Sequence, residues 1–324
     1  MKIRSAVAVS AAFLLAACGG GGQIGDSNTG GTAANKKLVL IPGITAEPFY
    51  ISMRCGFEEA AKAAGYEFDT QAPAKFDAAQ QTPIVTGVLA SKPAAVLIAP
   101  TDDRAMAGPM KQLKDAGIKV VEVDTKLQDT SIAASSISSN NEQGGKLAAE
   151  TLNKLAAGKS GSVLVLNTKA GTSTTDARAK GFEEAVKAYP NLRYIGQQYT
   201  DNEPATAASK VTATLAANPD LIGVFATNLN TGEGAATGLR NAGKTGAVNL
   251  VGFDASPKQV QDLQAGTVQA LIAQDPATIG KQGVEQALAA IEGKQNERDI
   301  ETDLVAITKD DASANSKYFY REKC

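Results

Sequence analysis

Carboxylates, an amide and aromatic rings stand in this chain where apolar runs give way to loops, and no histidine accompanies them. Glu47, Phe49 and Tyr50 follow the apolar run at 39–41 and put one carboxylate and two rings on a single short segment. Asp124 closes the run at 120–123, Asp254 closes the run at 250–253, and Asn228 follows the run at 224–226. Without histidine there is no Ser-His-Asp triad, no imidazole general base and no His-rich metal site. No paired motif for carboxylate or lysine catalysis stands out, so no residue is assigned a catalytic role and no metal or cofactor is expected. What these groups offer is recognition by hydrogen bonding and by apolar ring faces.

The elements that position them are written plainly in residues 37–65, where an unbroken apolar run turns into an amphipathic helix across a short loop. Consecutive apolar positions at 39–41 suit a parallel strand covered on both faces. Phe57, Ala60, Ala61 and Ala64 recur at helical spacing, and Gly65 stops the helix. In an open parallel sheet, ligands lie beyond the carboxyl ends of the strands, so residues 45–50 face a crevice.

The same pattern is then repeated. Gly56-Phe57-Glu58-Glu59-Ala60 returns as Gly181-Phe182-Glu183-Glu184-Ala185 at an offset of 125. Asp102 is answered by Asn228 at 126, and Asp124 by Asp254 at 130. A period this long belongs to domain-sized halves, not to a solenoid. Between and beyond these landmarks, strands are expected at 66–69, 94–99, 118–123, 163–166, 268–273 and 304–308. Helices are expected at 78–90, from Arg104, from Gly145, and around 178–187, 204–217 and 279–291. The small polar stretch 135–141 reads as the first crossing between halves. The alternation specifies an α/β chain of two doubly wound parallel-sheet lobes enclosing a cleft.

Ahead of these lobes, Lys2 and Arg4 precede an apolar run at 6–17 that is too short to span a bilayer and has the form of a cleavable export signal, residues 1–17. Leu15-Ala16-Ala17-Cys18 resembles the bacterial lipobox, which implies that Cys18 is acylated and becomes the first residue of the mature chain. The alternative is an ordinary signal with a bystander cysteine. Residues 18–35 then form the lipidated cysteine and a flexible tether, which by random-coil scaling spans roughly 20–25 Å. This arrangement predicts a body anchored by lipid on the extracytoplasmic face of the cell envelope.

Loss of Lys2 and Arg4 takes the formal charge from -2 to -4, so nothing suggests nucleic acid as a partner. Once Cys18 is lipidated, Cys55 and Cys324 remain as an even pair in an exported protein. A disulfide pinning the aromatic tail (Tyr318, Phe319, Tyr320) onto the first lobe is the working expectation, with two free thiols the alternative.

From residue 37 to about 308 the chain resembles the ribose-binding-protein group of type I periplasmic substrate-binding proteins, the receptors of ABC sugar importers. The resemblance is carried, in order, by Glu47-Pro48-Phe49-Tyr50, Pro100-Thr101-Asp102, Gly144-Gly145-Lys146, Gly171-Thr172-Ser173 with Arg178 and Gly181-Phe182, Val224 to Asn228, Val251-Gly252-Phe253-Asp254, and Ile272-Ala273-Gln274. It implies three crossings between lobes, near Ser139, Gln274 and Asp303. The N-terminal lobe then comprises 36–139 and 275–303, and the C-terminal lobe with its tail comprises 140–274 and 304–324. It also implies hinge closure on a ligand and recognition of the closed monomer by a membrane permease.

Carried over position by position, the resemblance makes Asp124, Arg178, Asn228, Asp254 and Gln274 polar ligand contacts and Phe49 and Tyr50 a stacking pair. Glu47 stands where the group often has asparagine, Thr125 where a ribose binder has arginine, and residues 199–202, with Asp201, supply no phenylalanine. Ribose is therefore not named; another pentose, a hexose, a sugar alcohol or an amine-bearing ligand fits equally.

Blander roles exist for several residues: Asp254 as a cap for the helix after Pro257, Asn228 as a helix cap, Arg178 as a surface partner of Asp176 or Glu183, Phe49 as packing, and Glu47 and Asp201 as solvated loop carboxylates. The favoured function is a lipid-anchored receptor that binds a monosaccharide or polyol and delivers it to an ABC permease. A sugar-sensing or autoinducer-binding receptor with a membrane signalling partner is the alternative.

Overall fold

The computed structural model describes residues 36–324. The expected export signal, Cys18 and the tether lie outside the described residues.

The first sheet is built from β1 (Lys37–Ile41), β2 (Glu67–Thr70), β3 (Ala95–Ile98), β4 (Lys119–Val123) and β5 (Ser135–Ser139), connected by α1 (Pro48–Ala63), α2 (Ala78–Ser91) and α3 (Ala107–Asp115). The chain then moves to the second sheet with α4 (Asn141–Ala156), β6 (Gly161–Asn167), α5 (Ser173–Val186), β7 (Leu192–Tyr199) and α6 (Pro204–Ala217). β8 (Leu221–Ala226), α7 (Leu229–Asn241), β9 (Asn249–Phe253), α8 (Pro257–Gln264) and β10 (Ala270–Ala273) continue it. α9 (Pro276–Ile291) and β11 (Asp299–Thr302) return to the first sheet, and β12 (Val305–Thr308) joins the second.

The strand orders are β11-β5-β4-β3-β1-β2 and β12-β10-β9-β8-β6-β7, parallel throughout except that β12 runs antiparallel to β10. β1, β3 and β4 are buried over nearly their whole length, as strands flanked by helices on both faces must be. In each sheet the order reverses beside the first strand, between β1 and β3 and between β6 and β8, which is where a doubly wound sheet opens a ligand crevice. The alternation in the sequence thus specified the architecture correctly.

Three local readings differ from the structure. The stretch 135–141 begins as a strand, β5, because its small serines fit between β4 and β11 and complete both ladders. α4 starts at Asn141, four residues before Gly145, because the Asn140 side chain caps it by accepting the Gln143 N–H at 3.0 Å. α3 starts only at Ala107, since the Asp102 carboxylate takes the N–H groups of Arg104 and Ala105 and holds them in a turn.

The repeated Gly-Phe-Glu-Glu has a packing cause. A Cβ on Gly56 would lie 2.0 Å from the carbonyl oxygen of Ala277, and one on Gly181 would lie 2.0 Å from that of Glu142. The opposing helices answer with Gly280, 2.1 Å from the Met53 oxygen by the same construction, and Gly145, 1.9 Å from that of Arg178. Each lobe therefore has one helix pair, α1 with α9 and α4 with α5, whose backbones touch through facing glycines. Phe57 and Phe182, the next residues, are fully buried. Gly56→Ala and Gly181→Ala should each cost about 1–3 kcal/mol by overpacking. Gly87→Ala, in open space on α2, should be neutral or stabilising by about 0.5–1 kcal/mol. Urea denaturation of the three variants checks this; equal effects would show that the crossings are not tight.

Candidate functional site

The loops after β1, β4, β6, β8 and β9 meet around one cavity. At the β1 end, Ala46 has a left-handed backbone (φ 59°) that turns the chain into α1, where Pro48 sets the first turn. Glu47 holds the N-cap position of that helix, yet its side chain does not cap it and instead lines the cavity. Asp124 and Asp254, the first residues past β4 and β9, take left-handed backbones of φ 65° and 80°. Such conformations are costly for residues with a Cβ and gather where a site demands them. The 130-residue offset thus carries a shared backbone strain as well as a shared carboxylate.

Arg178 is buried and bonded through each of its three nitrogens, with two of its five N–H donors left over. Its Nε donates to Asn141 Oδ1 at 2.8 Å, Nη1 to the Thr227 carbonyl at 2.9 Å and Nη2 to Gln274 Oε1 at 3.1 Å. Its guanidinium carbon lies 3.7 Å from the centre of the Phe253 ring, a cation–π contact. Gln274 Oε1 also accepts the Ser139 hydroxyl at 2.7 Å, which fixes the amide so that Nε2 donates to Asp254 Oδ1 at 2.6 Å. Asp254 Oδ2 accepts the Leu229 N–H at 2.9 Å, at the start of α7. Across the cavity, the Tyr50 hydroxyl donates to Asp124 Oδ2 at 2.7 Å, and Phe49 meets Tyr50 edge-on with ring centres 5.1 Å apart.

Glu47, Asp124 and Asp254 share this space with a single guanidinium. Burial first, then the charges of Asp254, Asp124 and Glu233, push the Glu47 carboxyl up to about 8, against the pull of Arg178. Burial raises Asp124 to about 6, with Arg178 and the Tyr50 hydrogen bond working the other way. Burial lowers Arg178, while Asp254 and Asp124 favour its charged form. At neutral pH, Glu47 is consequently a carboxylic acid that both donates and accepts, Asp124 is an acceptor, and the Tyr50 phenol, pushed well above its ordinary value chiefly by burial, remains a donor.

Eight residues singled out from sequence, Glu47, Phe49, Tyr50, Asp124, Arg178, Asn228, Asp254 and Gln274, line this one cavity. Asp201 does not. Two consecutive left-handed residues, Asp201 and Asn202, turn the chain so that Asp201 is exposed in an outer groove and Asn202 reaches the cavity. There Asn202 Oδ1 accepts Asn228 Nδ2 at 2.8 Å.

The blander roles separate as well. Asn228 does cap α7, its Oδ1 accepting the Thr231 N–H at 3.1 Å, so it is both cap and cavity wall. Asp254 does not cap α8, a task done by Ser256. Arg178 bonds neither Asp176 nor Glu183, because it points into the protein.

Phe76 and the threonines Thr168, Thr172, Thr174 and Thr175 also line the cavity and were not singled out. Thr172 belongs to the Gly171-Thr172-Ser173 segment; Phe76 lies in a loop, where periodicity carries no signal. Tyr320 was missed too: its hydroxyl donates to Asp254 Oδ1 at 2.9 Å from behind the cavity wall. A disulfide joins Cys55 on α1 to Cys324 at the end of the same tail.

The cavity is roofed by direct contact between the lobes. The Asp103 N–H donates to the Gly171 carbonyl at 3.0 Å, the Lys126 N–H to Ser173 Oγ at 2.9 Å, and Lys75 pairs with Glu203 at 2.9 Å. On the opposite side three segments pass between the sheets, after β5, after β10 and between β11 and β12. They are knitted together where Ser139 Oγ lies 3.3 Å from Thr302 Oγ1 and 2.7 Å from Gln274 Oε1. Among the described residues, no cluster of His, Cys, Asp and Glu is arranged to hold a metal, and no helix is long and apolar enough to cross a membrane.

Comparison with known proteins gives one consistent answer. The profile of the periplasmic binding protein domain family matches residues 38–295. A ribose import binding protein of Escherichia coli is 32% identical over 280 residues, covering 85% of this chain and 92% of that protein. A D-allose-binding periplasmic protein of the same organism is 28% identical, covering 79% and 85%. Among solved structures, an ABC transporter solute binding protein from Agrobacterium vitis, bound with α-D-tagatopyranose, superposes with a TM-score of 0.85 at 38% identity, covering 88% of this chain and 99% of that one. A second from that organism, with bound D-fucose, gives 0.82 at 27% identity, covering 88% and 100%. These relatives are binding proteins and not enzymes, and with a two-lobed fold, a roofed cavity and a family profile matched over most of its length, this chain belongs to the periplasmic binding protein family of solute receptors.

Proposed function

We propose that this protein is a lipid-anchored, extracytoplasmic receptor that closes its two lobes around one monosaccharide or polyol and delivers it to an ABC permease. The observation that carries the reading is the single cavity that gathers planar hydrogen-bonding groups from both lobes beside an aromatic pair. A sugar presents neighbouring hydroxyls, each donor and acceptor, around a ring with apolar C–H faces. Asp124, Asn228, Asp254 and the remaining Arg178 donors bond the hydroxyl edge, Gln274 braces Asp254, and Phe49 and Tyr50 cover a face. Glu47, protonated at neutral pH, adds a donor. Support for the ligand class comes from relatives named for ribose and allose and from similar structures with bound tagatose and fucose. Support for the anchor is the lipobox-like Leu15 to Cys18, and for the permease the import systems to which those relatives belong.

One observation favours a second ligand class. Three carboxyl groups against one arginine already committed to neutral partners also suit an amine-bearing sugar.

A thermal-shift screen against D-tagatose, D-ribose, D-allose, D-fucose, D-arabinose, sugar alcohols and amino sugars tests the proposal. A ligand at 100 times its Kd should stabilise the folded protein by about 2.7 kcal/mol, with one molecule bound per monomer. No shift with any of these would overturn the reading.

A further inference from the structure

Beyond β12 the chain leaves the second sheet, and residues 309–324 form no regular element apart from a single short turn at Ser316–Tyr318. Residues 321–324 are exposed, yet Tyr320 immediately before them is only 5% exposed. Its surroundings explain why. The Tyr320 N–H donates to the Ala255 carbonyl at 3.0 Å, and its hydroxyl reaches Asp254 Oδ1 at 2.9 Å while accepting the Gln274 N–H at 3.3 Å. Its ring meets Phe49 edge-on, with centres 5.8 Å apart. One residue further on, the Arg321 N–H donates to Ser52 Oγ at 2.7 Å, on α1, and three residues beyond that Cys324 is bonded to Cys55 on the same helix. The tail therefore starts on the second sheet, passes behind Asp254 and Gln274, and is locked to a helix of the first sheet.

We propose that this disulfide-closed tail is a working part of the ligand site: it seats Tyr320 as a positioning residue that aims the Asp254 carboxylate at the ligand, so that opening the disulfide weakens binding without unfolding the lobes. The proposal rests on the sugar-receptor reading only for the identity of what is bound. Asp254 Oδ1 receives two donors, Gln274 Nε2 and the Tyr320 hydroxyl, and each constrains rotation of the carboxylate that faces the cavity. Burial and the Asp254 charge hold the phenol well above its ordinary value, so it remains a donor across the working pH range. The last four residues are exposed and bury little to offset the entropy of ordering a chain end, and the covalent bond supplies the constraint. Reduction converts the cystine to two thiols with two electrons and two protons from an added dithiol, which itself closes to a cyclic disulfide.

The test uses the mature soluble chain in three forms, oxidised, dithiothreitol-reduced, and Cys55→Ser/Cys324→Ser, together with Tyr320→Phe, which keeps the ring and removes only the hydroxyl. Without any ligand, hydrogen exchange at the amides of Leu229 and Gln274 should quicken at least about fivefold in the reduced, double-serine and Phe forms, while the amides of β6 and β8 keep their protection. Titration calorimetry with D-tagatose should then give a Kd raised about tenfold in all three relative to the oxidised protein, each still melting in one cooperative transition.

Unchanged exchange at Leu229 and Gln274, or an unchanged Kd in Tyr320→Phe, overturns the proposal and leaves the disulfide a plain staple. If the oxidised protein does not bind D-tagatose, that counts against this sugar, and the exchange rates still decide the role of the tail.

Discussion

Asp254→Ala should weaken sugar binding by about 10- to 100-fold and remove most of the ligand-induced rise in melting temperature. The carboxylate is 2% exposed, lines the cavity and is held by three donors: Gln274 Nε2, the Tyr320 hydroxyl and the Leu229 N–H. Three of the roughly four acceptor sites of the carboxylate are taken by these donors, which leaves one charge-assisted hydrogen bond of about 1.5–3 kcal/mol for a sugar hydroxyl. Its loss corresponds to between about one and two powers of ten in Kd.

The truncation also leaves three donors facing an empty space, so the unliganded variant should lose about 1–3 kcal/mol of stability and still unfold cooperatively. Calorimetry well below its melting temperature separates the two effects. Asp201→Ala, on the outer groove, serves as the control and should leave Kd within about twofold, since an exposed carboxylate without a ligand contact contributes little. Equal losses in the two variants would remove the cavity from consideration as the ligand site.

The contrast between these two aspartates shows what the sequence could convey. Asp254 was legible because a carboxylate at the end of a buried apolar run, answered by Asp124 in the first half, is a statement about sheet topology, and topology follows from hydrophobic pattern. Asp201 and Asn202 sit in a turn where two left-handed residues decide which side chain faces inward, and nothing in the pattern of neighbouring side chains encodes that choice.

Arg178 was visible only through family resemblance. On α5 it looks like a surface charge between Asp176 and Glu183, and its burial comes from the Phe253 ring on β9 and the Thr227 carbonyl just past β8, both distant in sequence. β5 failed as a strand prediction for a related reason: a serine-rich segment has no apolar signature, and its place is set by the two strands it joins. Tyr320 lies in a coil, where periodicity carries no information, and only the neighbouring Cys324 hinted that the tail folds back.

Glu47 supplies the second large effect, and it divides the two ligand classes. Its carboxyl is pushed to about 8 from an ordinary 4.5, by burial and by Asp254, Asp124 and Glu233, with Arg178 alone opposing among the charges that face it. Between those two values the folded protein holds a proton that the unfolded chain has lost. Linkage then makes the folded state progressively less stable as pH rises through that window, with the penalty fully developed above about 8. Asp124, raised to about 6, adds a smaller contribution of the same sign at the acid end of the range.

Glu47→Gln fixes the neutral form and should remove the Glu47 share of this dependence, leaving that of Asp124 and that of Glu122, whose carboxyl burial raises to about 7, and so raise the melting temperature at pH 9 more than at pH 5. For a neutral sugar that accepts a hydrogen bond from Glu47, the wild-type affinity should be level below about pH 8 and fall toward tenfold per pH unit above it, whereas the Gln variant should show little change. An amine-bearing sugar reverses the acid side of the profile. Its affinity climbs as Glu47 becomes a carboxylate and declines only when the ammonium itself loses its proton, and Glu47→Gln removes the climb and weakens binding throughout. Calorimetric titrations of both proteins from pH 6 to about pH 9.5 distinguish the cases by the sign of the slope below pH 8, and superimposable profiles for wild type and Gln variant would show that Glu47 does not touch the ligand.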